Sequence, residues 1–328
     1  MIKTKSYKTI KKLIYLLVMT LIISACSKDE NNNEKLKIAT SINFYSEVAQ
    51  NIAKDKAEVI SIISNSSVDP HDFEPSADDA KNIADSNIAI FNGGGYDSWF
   101  EKLTNNNKDI VKINAAELIN LKDGENEHIW YNPQVLKNVA ENLTEELIKK
   151  DPQNKEFYIT NKNSYLDELE KINDKVKELK NKSKGKVVLT TEPIFDYSIE
   201  VLELKTTEDI KKLAKATSEG NDPSPQTLKN IQEDIKNKKI DFVVNNIQTT
   251  NKAIEGIINL SEENGIPILN VSETQPNDKT YVEWMIDQYD KLLNILNGNI
   301  GEKAYHTKDA KEGHNHNHDH EHGHDHNH

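Results

Sequence analysis

One cysteine, no arginine and no long apolar stretch characterise this 328-residue chain. The single thiol, Cys26, excludes an intramolecular disulfide and any centre built from several thiolates. The most apolar stretch, Leu13 to Ile23, has eleven residues, short of the ~20 that a transmembrane helix needs. Positive charge is outweighed, with 41 Lys against 54 Asp and Glu and a formal net charge of −13. Such a surface argues against nucleic acid and anionic lipid as partners and favours cations. The missing arginine accompanies abundant Asn and Ile, a compositional bias that carries no functional inference.

What the chain has is histidine. Eight of its eleven histidines, His314, His316, His318, His320, His322, His324, His326 and His328, alternate with Asn, Asp, Glu or Gly at the carboxyl end. Neutral imidazole is the commonest protein ligand for borderline transition metals. The census points to metal handled at two places: a solvated tail and a defined site around His71 and His128. A purification tag is the bland reading of the tail, but its mixed spacers are unlike one. His306 has no neighbouring partner and is expected outside the fold.

The amino end reads as an export signal. Lys3, Lys5, Lys8, Lys11 and Lys12 precede the apolar stretch, which ends in Ile23-Ser24-Ala25-Cys26. That ending resembles the lipobox of bacterial lipoproteins, in which the cysteine is lipidated and becomes the new amino terminus. Losing the five lysines would take the net charge from −13 to −18. The expected organisation is a signal peptide over 1–25, a tether over 26–35, an α/β lobe over 36–150 and a linking helix over 151–184. A second α/β lobe over 185–298 and a His-rich disordered tail over 299–328 complete it.

Short β-branched runs alternate with helical patterns, which predicts two lobes of mainly parallel sheet flanked by helices. Strands are expected at Leu36–Thr40, Ala57–Ile63, Asn87–Phe91 and Ile110–Ile113, then at Val187–Thr190, Ile240–Val244 and Pro267–Val271. Ser76 followed by Asp79 predicts a capping box. Asn132-Pro133 opens a helix whose apolar stripe is Val135, Leu136, Val139, Leu143 and Leu147. Asp151-Pro152 opens another. There Tyr158, Tyr165, Leu169, Ile172, Val176 and Leu179 share one narrow face, which could be a coiled-coil seam. Lying alone between two α/β halves, it is expected to be a strut packed along both lobes.

In open parallel sheets, sites form beyond the carboxyl ends of the strands. His71 follows the second expected strand, and Glu192 and Glu273 each come two residues after a strand. His128 precedes the Asn132-capped helix. Two imidazoles and two carboxylates converging between the lobes would suit Zn²⁺ or Mn²⁺. Each has a bland alternative: a loop or capping histidine, a turn carboxylate before Pro193, a loop carboxylate. Trp130 and Tyr131 read as packing residues. Asn92-Gly93-Gly94-Gly95-Tyr96-Asp97 lacks the Lys-Ser/Thr of a P-loop and reads as a tight strand-to-helix turn.

Together these pieces carry a resemblance. The segments Asp69-Pro70-His71-Asp72-Phe73-Glu74-Pro75, Asn92 to Trp99 and His128-Ile129-Trp130-Tyr131-Asn132-Pro133 are similar to the metal-specific solute-binding lipoproteins of bacterial ABC transporters, the zinc/manganese family. So are Thr191-Glu192-Pro193, Gly220 to Pro225, Ser272 to Pro276 and Tyr281 to Met285. The resemblance spans about Leu36 to Leu296. It implies two α/β lobes joined by a rigid helix, with one metal between them held by His71, His128, Glu192 and Glu273. Glu192 matches a position that is His in many zinc-type members and Glu in many manganese-type ones, and Glu273 one often held by Asp. Asn132 replaces an Asp common in the His-Xaa-Trp motif. The resemblance implies no catalysis: a lipid-anchored monomer, outside the cytoplasm, that delivers a transition-metal ion to a membrane ABC permease. Two carboxylates favour Mn²⁺; the usual divalent affinity order and the tail favour Zn²⁺, which is the preferred expectation. The rival classes are a metallohydrolase using the same ligands and a surface adhesin.

Overall fold

The computed structural model describes residues 35–299 apart from 66, 67, 69, 71, 72, 123 and 250. The expectations for Cys26, the signal peptide, the tether, His71, His306 and the histidine tail fall outside these residues. The first sheet runs in the order β2-β1-β3-β4, from β1 (Leu36–Ile42), β2 (Ala57–Ile63), β3 (Ile88–Phe91) and β4 (Val111–Asn114). The second runs β5-β6-β7, from β5 (Val188–Thr190), β6 (Phe242–Asn246) and β7 (Ile268–Val271). Every pairing is parallel. Parallel neighbours need crossover connections, and the helices supply them.

In the first half these are α1 (Asn43–Ala53), α2 (Ala77–Ala84), α3 (Ser98–Thr104), α4 (Ala115–Leu118) and α5 (Pro133–Lys150). The long α6 (Lys155–Ser183) follows. The second half holds α7 (Asp196–Val201), α8 (Glu208–Ser218), α9 (Pro225–Lys236), α10 (Lys252–Glu263) and α11 (Tyr281–Leu296). The capping box at Ser76 and Asp79 forms as its spacing predicts, and Asn132 caps α5 through the Gln134 N–H.

Strand alternation decides where the cores lie, because successive side chains leave opposite faces of a strand. Ile88 and Ile90 face one core, Ala89 and Phe91 another. In β6, Phe242 and Val244 join the same core as Ile88, while Val243 faces the outer helices α8, α9 and α10 with Ile231 and Ile257. Each sheet thus has its own outer core, and the inner cores merge into one cluster running from Ile38 to Ile295.

Helix α6 borders that shared core. Its 29 residues make a rod about 44 Å long at 1.5 Å per residue. Tyr158, Tyr165, Leu169, Ile172 and Leu179 are buried along it, with Val176 half-buried. The rod packs on α1 and α5 from the first half and on α11 from the second. Asp151-Pro152 opens a 3-10 turn rather than the helix itself, and α6 begins at Lys155. The Asp151 carboxylate accepts from Asn154 Nδ2 and the Tyr158 hydroxyl at 2.6 and 2.7 Å, which holds the turn ahead of the first helical residue.

Most expected strands form within a residue or two. The largest difference is β6, displaced two residues towards its carboxyl end relative to Ile240–Val244. Asn245 and Asn246 break the apolar pattern, yet they stay in the ladder because their polar groups have partners there. Asn245 Nδ2 donates to Asn270 Oδ1 at 3.1 Å, and the Asn246 N–H donates to Thr191 Oγ1 at 3.0 Å.

Candidate metal centre

Three of the four expected ligands lie in the described structure, all at the carboxyl side of the sheets. Glu192 follows β5 and Glu273 follows β7, so both leave the same end of the second sheet. His128 opens the 3-10 turn Ile129–Tyr131 that leads into α5. The three are 2%, 4% and 5% exposed for His128, Glu192 and Glu273. That burial is unlike a solvated turn carboxylate or a surface histidine, although His128 does stand at the cap position of its 3-10 turn.

The convergence is tight. His128 Nε2 lies 3.9 Å from Glu273 Oε1. Asn246, at the end of the central strand β6, donates from one amide nitrogen to Glu192 Oε2 and, at 2.8 Å, to Glu273 Oε1. Parallel register explains its position. Thr190 pairs with Val244 and Asn246 with Val271, so the last residue of the middle strand falls between the two loops that carry the carboxylates. Gln248 adds a second brace, its Oε1 accepting from the Glu273 N–H at 2.6 Å.

The histidine is held from behind. The His128 ring stacks edge-on to Trp130 and Tyr96, with centroids 5.3 and 6.4 Å away. Asn126 Oδ1 lies 2.7 Å from His128 Nδ1. The Asn92 amide donates to the Glu127 carbonyl at 2.9 Å, fixing the residue just before the histidine. Asn92 itself stands in the expected strand-to-helix turn. Asp97 closes that turn by accepting the Asn92 and Gly93 N–H groups at 2.7 and 2.8 Å. Burial pushes the Asp97 carboxyl above its ordinary range, against those same hydrogen bonds.

Two buried carboxylates that share the Asn246 amide, with an imidazole nitrogen 3.9 Å from one of them, are of the N and O donor types that divalent transition metals take. In tetrahedral zinc with ligands at about 2.1 Å, neighbouring donors stand about 3.4 Å apart. The 3.9 Å between His128 and Glu273 is close to that edge. Among the described residues, no three His, Cys, Asp or Glu side chains are gathered tightly enough to hold an ion by themselves. Trp99 Nε1 donates to the Pro70 carbonyl at 3.2 Å, and the Phe73 ring packs against the Trp99 ring.

Residues 38–295 match the family model described as ZnuA, zinc-uptake complex component A, periplasmic. The chain belongs to this family. Among its relatives is the manganese ABC transporter substrate-binding lipoprotein PsaA of Streptococcus pneumoniae serotype 4. It is 27% identical over 323 residues, covering 88% of this chain and 99% of PsaA. The metal ABC transporter substrate-binding lipoprotein FimA of Streptococcus parasanguinis is 32% identical over 210 residues, 58% of this chain and 68% of FimA.

The family's fold is shared by solved structures. FpvC of Pseudomonas aeruginosa in complex with Mn²⁺ matches with a TM-score of 0.65 at 23% identity, over 81% of this chain and 99% of that one. The periplasmic zinc binding protein TroA of Treponema pallidum matches with a TM-score of 0.64 at 16% identity, over 80% and 99%.

Two residues beside the candidate ligands, Asn246 and Asn126, escaped the reading of the sequence, and Asn92 was read only as part of a turn. Asparagine is common in this chain, so identity alone gave no signal. For Asn246 a positional signal existed, since an Asn-Asn pair ends the apolar run Phe242-Val243-Val244 at the sheet edge where ligands bind.

Proposed function

We propose that the protein captures a divalent transition-metal ion outside the cytoplasm and delivers it to a membrane ABC permease, without catalysing a reaction. The observation that carries the site is the sharing of one buried amide, Asn246 Nδ2, by the Glu192 and Glu273 carboxylates, beside an imidazole nitrogen. Burying two like charges together costs several kcal/mol per ion unless a counter-charge is present. A dication supplies one, and its release leaves the pair to the neutral amide.

His128, Glu192, Glu273 and His71 are the proposed ligands. Zn²⁺ is the favoured cargo and Mn²⁺ the alternative. Imidazole donors and the affinity order favour zinc, while two oxygen donors admit manganese. Domain bounds are proposed as a signal peptide over 1–25, a tether over 26–35, lobes over 36–150 and 185–298, a linking helix over 151–184 and a tail over 299–328. Cys26 is the proposed lipid attachment point. Among the described residues no helix is long and apolar enough to cross a membrane. Cys26→Ser should block lipid attachment and maturation, and a variant that still partitions into detergent as a processed lipoprotein would overturn the assignment.

The test is calorimetric titration with Zn²⁺ and Mn²⁺ of protein lacking residues 301–328. One tight site per chain is expected. His71→Ala, His128→Ala and Glu192→Gln should each weaken it by 100-fold or more, on the order of 3 kcal/mol. Unchanged affinity in His128→Ala would remove the proposed site.

A further inference from the structure

Two hydrogen bonds fix the orientation of the Asn126 side-chain amide, and a third holds its backbone. Its Nδ2 donates to the Pro193 carbonyl at 2.6 Å, an atom that can only accept. Its Oδ1 receives the His128 backbone N–H at 3.0 Å, a group that can only donate. Its own carbonyl receives the Tyr197 hydroxyl at 2.6 Å. Exchanging the amide oxygen and nitrogen would set donor against donor at His128 and acceptor against acceptor at Pro193, so only one orientation is open.

That orientation dictates the state of the histidine. The same Oδ1 lies 2.7 Å from His128 Nδ1, and an amide oxygen cannot donate. Nδ1 must therefore carry a proton, and in the neutral ring Nε2 keeps its lone pair. Nε2 is the nitrogen that faces Glu273.

We propose that Asn126 is the positioning residue that selects the His128 tautomer, holding the proton on Nδ1 so that Nε2 is presented as a metal donor before any ion arrives. The proposal rests on His128 being a ligand. It deepens that reading by naming the residue that sets the state of the ring. The link to Pro193, the residue after Glu192, makes the same side chain a tie between the loops that carry the two donors. A cavity of about 720 Å³ is lined by Asn126, Glu127 and Pro193, and Asn126 is half-buried beside it.

The experiment is ¹⁵N NMR of the His128 ring in metal-free full-length protein at pH 8, with Zn²⁺ affinity measured alongside by chelator competition. The wild type should show the Nδ1–H form. Asn126→Ala should move the ring towards Nε2–H and weaken Zn²⁺ binding about 10- to 100-fold, the usual cost of losing such a partner. Asn126→Asp restores an acceptor and should restore the Nδ1–H form. A wild-type ring in the Nε2–H form overturns the proposal. So does Asn126→Ala with Nδ1–H retained, even if affinity falls, because the residue would then be merely structural. Should Asn126→Ala fail to fold, the wild-type and Asn126→Asp spectra decide alone. Failure of the wild type to bind Zn²⁺ would sink the metal-binding reading and leave the tautomer assignment standing.

Discussion

At the scale of single residues, neutral amides organise the charged ones. Asn246 holds two carboxylates at once, because its amide nitrogen carries two donor hydrogens and no charge. Asn246→Ala should lower metal affinity about 10- to 100-fold while the stoichiometry stays at one, as for other partners of metal ligands. Loss of stoichiometry would instead mark Asn246 as a fold determinant.

Glu47 works in the opposite sense. Burial pushes its carboxyl above the usual range, partly offset by the hydrogen bonds it accepts from Tyr281 N–H and Gln275 Nε2, with Glu283 adding to the rise. A raised carboxyl means that the folded state holds the proton more tightly than the unfolded state does. Stability from this group therefore falls as pH rises from its unfolded value of about 4.3 through the raised folded one. Glu47→Gln should stabilise the protein at pH 7 and lose that advantage near pH 4. Urea denaturation at the two pH values checks it, and a variant that is relatively weaker at pH 7 would contradict the sign.

At the scale of elements, the turn after β3 shows why a glycine run that invites a phosphate-loop reading is architectural. Gly93 has a φ of +72°, and a Cβ there would stand 2.0 Å from Asn114 Oδ1 at the end of β4. Gly93→Ala combines left-handed strain with overpacking and should cost on the order of 1–3 kcal/mol in denaturant unfolding. The same turn sets Asn92 against Glu127, so the variant should also weaken metal binding. A Gly93→Ala protein as stable as the parent would mean that Asn114 turns aside freely.

For the molecule as a whole, the shared inner core ties the two halves to each other as well as to α6. Tyr131 of the first half donates to the Gln288 side chain of α11 at 2.7 Å, and the Tyr281 hydroxyl donates to the Trp130 carbonyl. A bound ion should stabilise this single body by about 2.7 kcal/mol at a hundredfold excess over its dissociation constant, read as a rise in melting temperature with added Zn²⁺. The proposed tail adds exchangeable sites whose imidazoles compete with protons near a pKa of ~6.5. Removing residues 314–328 should lower total Zn²⁺ bound at pH 7.5 and leave one tight site. At pH 5.5 the full-length and shortened chains should bind nearly alike. Equal stoichiometry at pH 7.5 would end the tail's role, and loss of the tight site would mean that the tail supplies its ligands.

The elements were legible because each is written locally. β-branched runs, the Ser76–Asp79 capping box, the Asn132-Pro133 helix start and the stripe from Tyr158 to Leu179 act over a few residues, so periodicity and capping chemistry reveal them. His128, Glu192 and Glu273 were legible as candidates because parallel strands place their following loops at one edge. Tertiary structure alone decided which groups share a point. Asn246 and Glu192 are separated by 54 residues, Asn126 and Pro193 by 67, and Tyr131 and Gln288 by 157. No local pattern encodes such pairs; they arise from strand register and crossover. The burial that turns loop carboxylates into candidate ligands was equally invisible in the sequence, because exposure belongs to the packed molecule and not to the residue.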